Sequence, residues 1–412
     1  MTSMTDAVAA KPAAPSTASG LAERFREAAR AAGFDLCGFA PAIAPPTYPR
    51  FLDWLAAGHQ AGMEYLTRRR EAYAHPHGVL DGARSVVVLA MSYAPSSSGM
   101  TSNVGASMTS AALPEPTGSQ LESDARIARY AQVGADYHDT IRSRLRSLCD
   151  WLTRESPGCL ARGVVDTAPL LERDFARLAG LGWFGKNTLL IHKRLGSWLF
   201  LAGILTDLEL PPDEPFGTSH CGTCTRCLEA CPTQAFPEPY VLDARRCIAY
   251  WTIEHRGTIP EPVRPEIGDW LFGCDVCQEV CPWNRKAPGA MDPEMQPRND
   301  LSAIDPVELL TLDDAGFRAR FRGTPLSRPR RAGLARNAAI VLGNRRAADA
   351  VPALGVALRD SEPEVRSAAA WALGQIRGME AKRLLLAAVA DERDAAVLDE
   401  LRSALDRTQL PA

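Results

Sequence analysis

The chain has 412 residues, a length that favours two or three domains over a single core. Hydrophobic residues make up 46% and charged residues 23%, which excludes a disordered chain, and the longest apolar run, near Ser197–Ile204, falls short of the roughly eighteen residues needed to cross a bilayer. A formal net charge of −3 gives no global attraction to nucleic acid, so any such surface must be local.

Met1–Gly20 is rich in Ala, Ser, Thr and Pro and has no apolar core, which predicts a disordered leader rather than a secretion signal. Leu21–Ala32 has helical spacing, Asp35–Ala40 predicts a strand, and Tyr48–Arg70 predicts one amphipathic helix. Ser85–Tyr93 (SVVVLAMSY) is a continuous apolar run of the kind buried on both faces of a sheet. Pro95–Gln120 turns to Ser, Gly, Thr and Pro and predicts a mobile insertion. A helix over Tyr137–Arg154, strands at Val164–Thr167, Thr188–His192 and Trp198–Leu205, and a helix over Leu170–Ala179 complete an α/β or α+β domain spanning 21–210. The chain as a whole is expected to be an α+β multidomain protein, with a cysteine-rich domain at 211–290 and a linker and repeats at 291–412. In that tail, Leu342-Gly343 returns as Leu373-Gly374, 31 positions on, and Leu354 and Asp360 return as Leu385 and Asp391. This is a helical-pair repeat of the HEAT type, with a weaker third copy near Val397, and so short an array should lean on the preceding domain.

Eleven cysteines without a secretion signal argue for metal ligation in a reducing, cytoplasmic setting rather than for disulfides. Eight lie between Cys221 and Cys281. Cys221-x2-Cys224-x2-Cys227-x3-Cys231-Pro232 is the bacterial ferredoxin run, whose fourth cysteine ligates the other cluster. Cys274-x2-Cys277-x3-Cys281-Pro282 repeats its last three members, and Cys247 supplies the missing one. Two 4Fe–4S clusters follow, one on Cys221, Cys224, Cys227 and Cys281, the other on Cys231, Cys247, Cys274 and Cys277. Zinc also takes Cys-x2-Cys pairs, but not in this doubled pattern. Cys37, Cys149 and Cys159 suit small buried hydrophobes. Gly180-x-Gly182-x-x-Gly185-Lys186 mimics a dinucleotide or phosphate loop, yet a helix precedes it and a strand follows, the reverse of what such loops need. Nucleotide binding is therefore rejected there, and the glycines imply tight turns or a close approach to something bulky.

Arg129-Tyr130-Ala131, Asp136-Tyr137-His138, the run from Val165 to Arg173, Gly182-Trp183-Phe184-Gly185-Lys186-Asn187 and the ferredoxin run, in this order, resemble the epoxyqueuosine reductase family from about Leu21 to Arg407. The resemblance implies a cobalamin-dependent oxidoreductase that converts epoxyqueuosine to queuosine at the tRNA wobble position, the last step of queuosine biosynthesis, with residues 21–210 binding cobalamin. It implies cobalamin without a histidine ligand, and the Asp-x-His-x-x-Gly motif is indeed absent, so His138 is expected to be a structural hydrogen-bonding residue. Asp166 matches the family's proton donor, a role that needs burial to keep the carboxyl protonated. The residues alone equally allow a helix N-cap there.

By the same resemblance Arg129, Asp166, Leu190, Leu201, Ala249, Cys274 and Asp275 would contact cobalamin, while Tyr73 departs from a basic residue the family often has. Arg318, Arg320, Arg322, Arg328, Arg330, Arg331 and Arg336 form a local basic stretch suited to phosphate. Arg328, Arg330 and Arg331, with Arg256, are the expected tRNA contacts. Expected partners are the anticodon stem-loop and an external electron donor, with no membrane and a monomeric chain. Two rival classes make different demands: a reductive dehalogenase calls for an export signal and no repeat tail, and an electron-transfer adaptor calls for an N-terminal domain without a cofactor.

Overall fold

A computed structural model of the chain describes residues 18–95, 125–134 and 136–409. Most of the expected leader and all but the first residue of the expected insertion lie outside the described residues.

The first helix, Ala18–Ala31, begins three residues before the predicted domain and buries Leu21, Phe25 and Ala29. The central sheet has the order β1 (Leu36–Pro41), β2 (Ser85–Ser92), β7 (Leu199–Thr206), β4 (Ala161–Val164). Every pairing in it is antiparallel, which corrects the α/β expectation to α+β. Helix and strand alternate along the chain, but no crossover joins parallel neighbours. All eight residues of β2 are buried. Val87, Leu89 and Met91 meet Phe25, Ile141, Leu145 and Leu152 on one face, and Val86, Val88 and Ala90 meet Phe175, Ala176 and Leu178 on the other. The period-two alternation of side chains therefore sends apolar groups into two cores, one under helix Tyr137–Glu155 and one under helix Glu172–Leu178. Cys37, Cys149 and Cys159 pack at the edge of the first core, where burial pushes the Cys37 thiol up to about 12.

The single helix expected over Tyr48–Arg70 is broken into Tyr48–Ala56 and Glu64–Arg68. Gly58 and Ala61 adopt φ +70° and +53° between them, which ends the first helix and turns Gly62 so that its N–H donates to Tyr250 Oη at 2.9 Å. The glycine-rich motif forms a hairpin of β5 (Trp183–Phe184) and β6 (Leu190–Ile191). A Cβ on Gly182 would overlap the Ile191 carbonyl, so the bulky neighbour of this glycine is the hairpin's own backbone.

β3 (Arg126–Ile127) pairs in parallel with β8 (Trp270–Phe272), fastening the first domain to the cysteine segment. The repeat helices Arg330–Arg345, Pro363–Ile376 and Ala395–Gln409 stack in sequence. The recurring Leu-Gly has a steric cause: Cβ atoms on Gly343 and Gly374 would lie 2.9 Å from the Cα atoms of Ala372 and Ala404. The array does lean on the segment before it, in one continuous core from Ile248 to Ala404. Asn337 donates to the carbonyls of Thr252 and Leu271, each at 2.9 Å, and Arg336 to that of Trp251 at 2.9 Å. Arg336 is 1% exposed, so its place in a phosphate-binding stretch is withdrawn. Gly374→Val should cost on the order of 1–3 kcal/mol by overpacking against a backbone that cannot yield. Denaturant unfolding followed by circular dichroism checks this, with Gly378→Val, where a Cβ meets open space but φ is +94°, as the comparison for backbone strain alone.

Candidate active site and cysteine groups

Two short helical turns, Arg226–Glu229 and Val276–Glu279, pack together and carry Cys227 and Cys277, with Cys224 and Cys274 just before them. Burial, then the neighbouring sulfurs of Cys281, Cys221 and Cys224, push the Cys227 thiol up to about 11. Burial also raises Cys274, with Cys247 and Cys231 beside it, and Cys277, with Cys274 and Cys247 beside it. The structure thus gathers Cys221, Cys224, Cys227 and Cys281 into one group and Cys231, Cys247, Cys274 and Cys277 into another. Cys277 also lies in the field of Cys227, so the groups adjoin. Buried thiols that disfavour one another as thiolates call for a cation among them, and coordinated iron supplies it.

Asp166 stands two residues beyond β4 with φ +48°, in the left-handed region. It is not an N-cap: the next helix starts at Glu172, behind Leu171. Its Oδ2 accepts a hydrogen bond from Tyr137 Oη and lies 3.2 Å from His138 Nε2. His138 Nδ1 is 2.7 Å from Asp136 Oδ1. Burial pulls the His138 pKa down, but hydrogen bonds to Asp136 and Asp166 outweigh it and raise the value to about 9. The imidazolium is therefore the neutral-pH form and bridges two carboxylates. Its expected role as a structural hydrogen-bonding histidine is thus enlarged, because one partner is Asp166. Glu172 accepts from the Asp166 amide at 2.9 Å, and burial followed by the Asp166 charge raises its carboxyl to about 8. Arg69 donates to the Thr167 carbonyl at 2.7 Å. Arg173 keeps accessible surface although protein surrounds it, as on the wall of a cleft.

Tyr130 lies in the fields of both Asp166 and Asp275. The Asp275 carboxylate, 2% exposed, accepts from the Arg129 amide at 2.7 Å. Arg129 extends its guanidinium over the Trp198 ring at 5.3 Å, and its Nε is buried without a partner. Cys274 and Ala249 are half-buried against the core that carries this segment. Leu190 and Leu201 belong to the apolar cluster that includes Ala168 and Leu170, beneath the Asp166 loop, and touch neither Arg129 nor Asp275 through any polar group.

The four expected tRNA contacts separate. Arg328 pairs with Glu254 at 2.6 Å yet stays 48% exposed, and its carbonyl accepts from exposed Arg256 at 2.7 Å. Arg330 is exposed. Arg331 is 10% exposed and bound through both terminal nitrogens to Asp360, at 2.7 and 2.8 Å, so it fastens one repeat to the next and is withdrawn as a phosphate contact. Arg68, Arg69 and Arg70 are exposed, Arg69 being held at the Asp166 loop by the Thr167 carbonyl, and the helical spacing of Tyr48–Arg70 hides this basic run in the sequence.

A family model described as epoxyqueuosine reductase QueG matches residues 74–167, a 4Fe–4S double cluster binding domain matches 220–284, and HEAT repeats match 327–406. The chain is 41% identical to epoxyqueuosine reductase of Xanthomonas campestris over 357 residues, covering 86% of this chain and 96% of that one. The chain belongs to the epoxyqueuosine reductase family. Against the Escherichia coli epoxyqueuosine reductase it is 33% identical, with 86% and 89% of the two chains covered. The crystal structure of an epoxyqueuosine reductase with an epoxyqueuosine-modified tRNA-Tyr stem loop superposes with a TM-score of 0.84 at 30% identity, covering 95% of this chain and 99% of that one. Membership makes this an oxidoreductase with two 4Fe–4S clusters, and no helix among the described residues is long and apolar enough to cross a membrane.

Chain purified without oxygen should hold about eight irons, and Cys281→Ser should perturb the cluster whose other ligands are Cys221, Cys224 and Cys227. Iron analysis with electron paramagnetic resonance decides it, and zinc in place of iron would sink the assignment. A second expectation concerns His138. Because its folded pKa is raised from 6.5 to about 9, its stabilising contribution is full below about pH 6.5 and lost as pH rises through about 9. The unfolding midpoints of wild type and His138→Gln should therefore converge over that interval.

Proposed function

We propose that this chain reduces epoxyqueuosine to queuosine in tRNA, using cobalamin and two 4Fe–4S clusters, and that Asp166 delivers the proton. The observation that carries this reading is the Asp136–His138–Asp166 relay, in a chain that also ties Arg129 to Asp275 between Cys274 and Cys277. The relative solved with an epoxyqueuosine-modified stem loop supports tRNA as the substrate.

The residues fit cobalamin. Arg129 has a buried nitrogen without a partner, half-buried Leu201 and Ala249 offer apolar surface, and buried Leu190 backs Leu201 in the same cluster. Arg129, Cys274, Asp275 and Ala249 hold the cofactor from the cysteine side and the two leucines from the sheet. When bound, cobalamin would supply a low-potential cobalt centre that takes electrons singly. In this reading residues 21–210 form the cobalamin-binding catalytic domain, 211–290 the cluster domain and 291–412 the linker and repeats. The chain works as a cytoplasmic monomer fed by an external donor.

Loss of the epoxide oxygen as water consumes two electrons and two protons. An alkoxide leaves poorly unless it is protonated as the bond breaks. Asp166, 44% exposed, lacks the burial that would keep its own carboxyl protonated, so the proton it delivers is drawn through it from imidazolium His138 behind it. Tyr137 fixes the carboxylate by its hydroxyl and is itself stacked on Phe200 at 4.1 Å. His138 and Tyr137 are thus positioning residues, and Asp166 is the catalytic one. Exposed Arg256, Arg328 and Arg330, with Arg68, Arg69 and Arg70 of the segment whose Arg69 holds the Thr167 carbonyl, suit the phosphates of an RNA loop whose base is splayed toward Asp166.

Asp166→Asn should keep clusters, cobalamin and tRNA binding while losing on the order of 10²–10⁴ in single-turnover rate. Near-normal turnover would remove Asp166 from the mechanism. Replacing Arg328 and Arg330 by Ala should weaken tRNA binding and reduce the log–log salt slope by roughly one per lost phosphate contact. Arg331→Ala should instead lower the unfolding midpoint.

A further inference from the structure

We propose that a basic surface beside the Cys221, Cys224, Cys227 and Cys281 group receives a small acidic one-electron carrier protein, and that electrons enter the chain there. This rests on the two-cluster reading above.

Lys193 and Arg194 lie in the turn closed by the His192–Gly196 bridge. That turn sits on the segment following Cys281: the Ser197 amide donates to Asn284 Oδ1 at 2.6 Å, and Asn284 Nδ2 donates to Ser197 Oγ at 3.0 Å. Arg285 and Lys286 come next in the chain, and Arg226 stands between Cys224 and Cys227. All five side chains are exposed, and none has an ion-pair partner among the described residues. Exposed Glu214, Glu229 and Glu279 are the acids close by in sequence, and Glu279 is already paired with Arg126. The surface is therefore a net local positive charge on an acidic chain.

Directly beneath it, Cys221 and Cys281 pack with Trp183, Ile191, Phe216 and Trp283. The Lys193 ammonium lies 5.5 Å from the Phe216 ring, and the Trp183 and Trp283 rings are 4.9 Å apart. The cations thus border a thin aromatic cover over two ligands of one cluster. Lys186 faces inward, donating to the Gly222 and Cys224 carbonyls at 2.8 and 3.0 Å, and so fixes the ligand loop instead of joining the surface.

Position separates this surface from the one suited to RNA. The wobble base must reach Asp166, where Arg69 is held by the Thr167 carbonyl, while Arg256 and Arg328 stand together beside Glu254. On the other side, the Arg129 amide is tied to Asp275 between Cys274 and Cys277, the turn carrying Cys277 packs on the turn carrying Cys227, and Cys221 and Cys281 of that second group lie under the aromatic cover. A reductant is needed at the far end of that line. It must bring its redox group close while leaving the tRNA in place, and a positive rim selects a negative partner. In each encounter the carrier is oxidised by one electron and the cluster is reduced by one. No bond breaks and no proton is needed, and two encounters supply one turnover.

The test uses the cluster-loaded full chain and, as the probe, a flavodoxin, an acidic carrier with one FMN, photoreduced to its hydroquinone. In Lys193→Glu/Arg285→Glu/Lys286→Glu, the second-order rate of cluster bleaching by the carrier at low salt should fall about tenfold or more, with a flatter salt dependence. Bleaching by reduced methyl viologen, a small cation that needs no docking, should stay within about twofold, and so should tRNA affinity. A carrier rate within about twofold of wild type overturns the proposal. So does a loss of tRNA affinity with the carrier rate intact, which would make this an RNA surface. Iron is counted in each sample: a chain without iron overturns the cluster reading and this proposal with it, whereas an iron-replete chain with an unchanged carrier rate overturns the docking alone.

Discussion

The Arg129 amide donates to the buried Asp275 carboxylate at 2.7 Å, and the positions of both reacting partners depend on that tie. A buried carboxyl without a donor is expensive, so the contact holds only if β3 and β8 stay in parallel register. Burial raises the Asp275 carboxyl to about 7, the Arg129 hydrogen bond opposes that shift, and the balance leaves a group that needs its neighbour. Asp275 sits between Cys274 and Cys277, so the bond that closes the sheet also sets the distance from the cysteine groups to the Arg129 guanidinium.

Protons and electrons are handled by different parts of the fold. The proton relay hangs from the end of β4 and the start of helix Tyr137–Glu155, both seated on the antiparallel sheet. Of the thiols proposed to hold the clusters, Cys227 and Cys277 sit on short turns outside that sheet. Rigid sheet under one and ligand-tied loops around the other follow from what each must do: a proton donor needs fixed direction, whereas a metal centre imposes its own geometry on the chain that holds it.

What was legible in the sequence was whatever is local or counted. The cysteine spacings fix a ligand tally before any fold is known, and the apolar run of β2 and the Leu-Gly recurrence report burial directly. The Tyr48–Arg70 helix was misread because its apolar periodicity continues across Gly58, and only the positive φ at Gly58 and Ala61 breaks it. The antiparallel order of the sheet was invisible because alternation of elements does not encode strand direction. Asp166 could be matched to a family position, but its contact with His138 joins residues far apart in the chain. Arg331 and Arg336 belonged to a basic stretch by composition, and only tertiary contacts reveal that an acid and three carbonyls have already claimed them.

The anchoring of Asn337 to the Thr252 and Leu271 carbonyls ties the first repeat to the stretch of chain between Cys247 and Cys274. Oxidative damage to that cluster therefore does not stay local. Were Cys247 and Cys274 released from the proposed cluster, the carbonyls that seat Arg336 and Asn337 would be free to shift, and with them the helix that opens at Arg330. On the proposed RNA contacts, exposure to oxygen would then weaken the hold on tRNA as well as the reducing power.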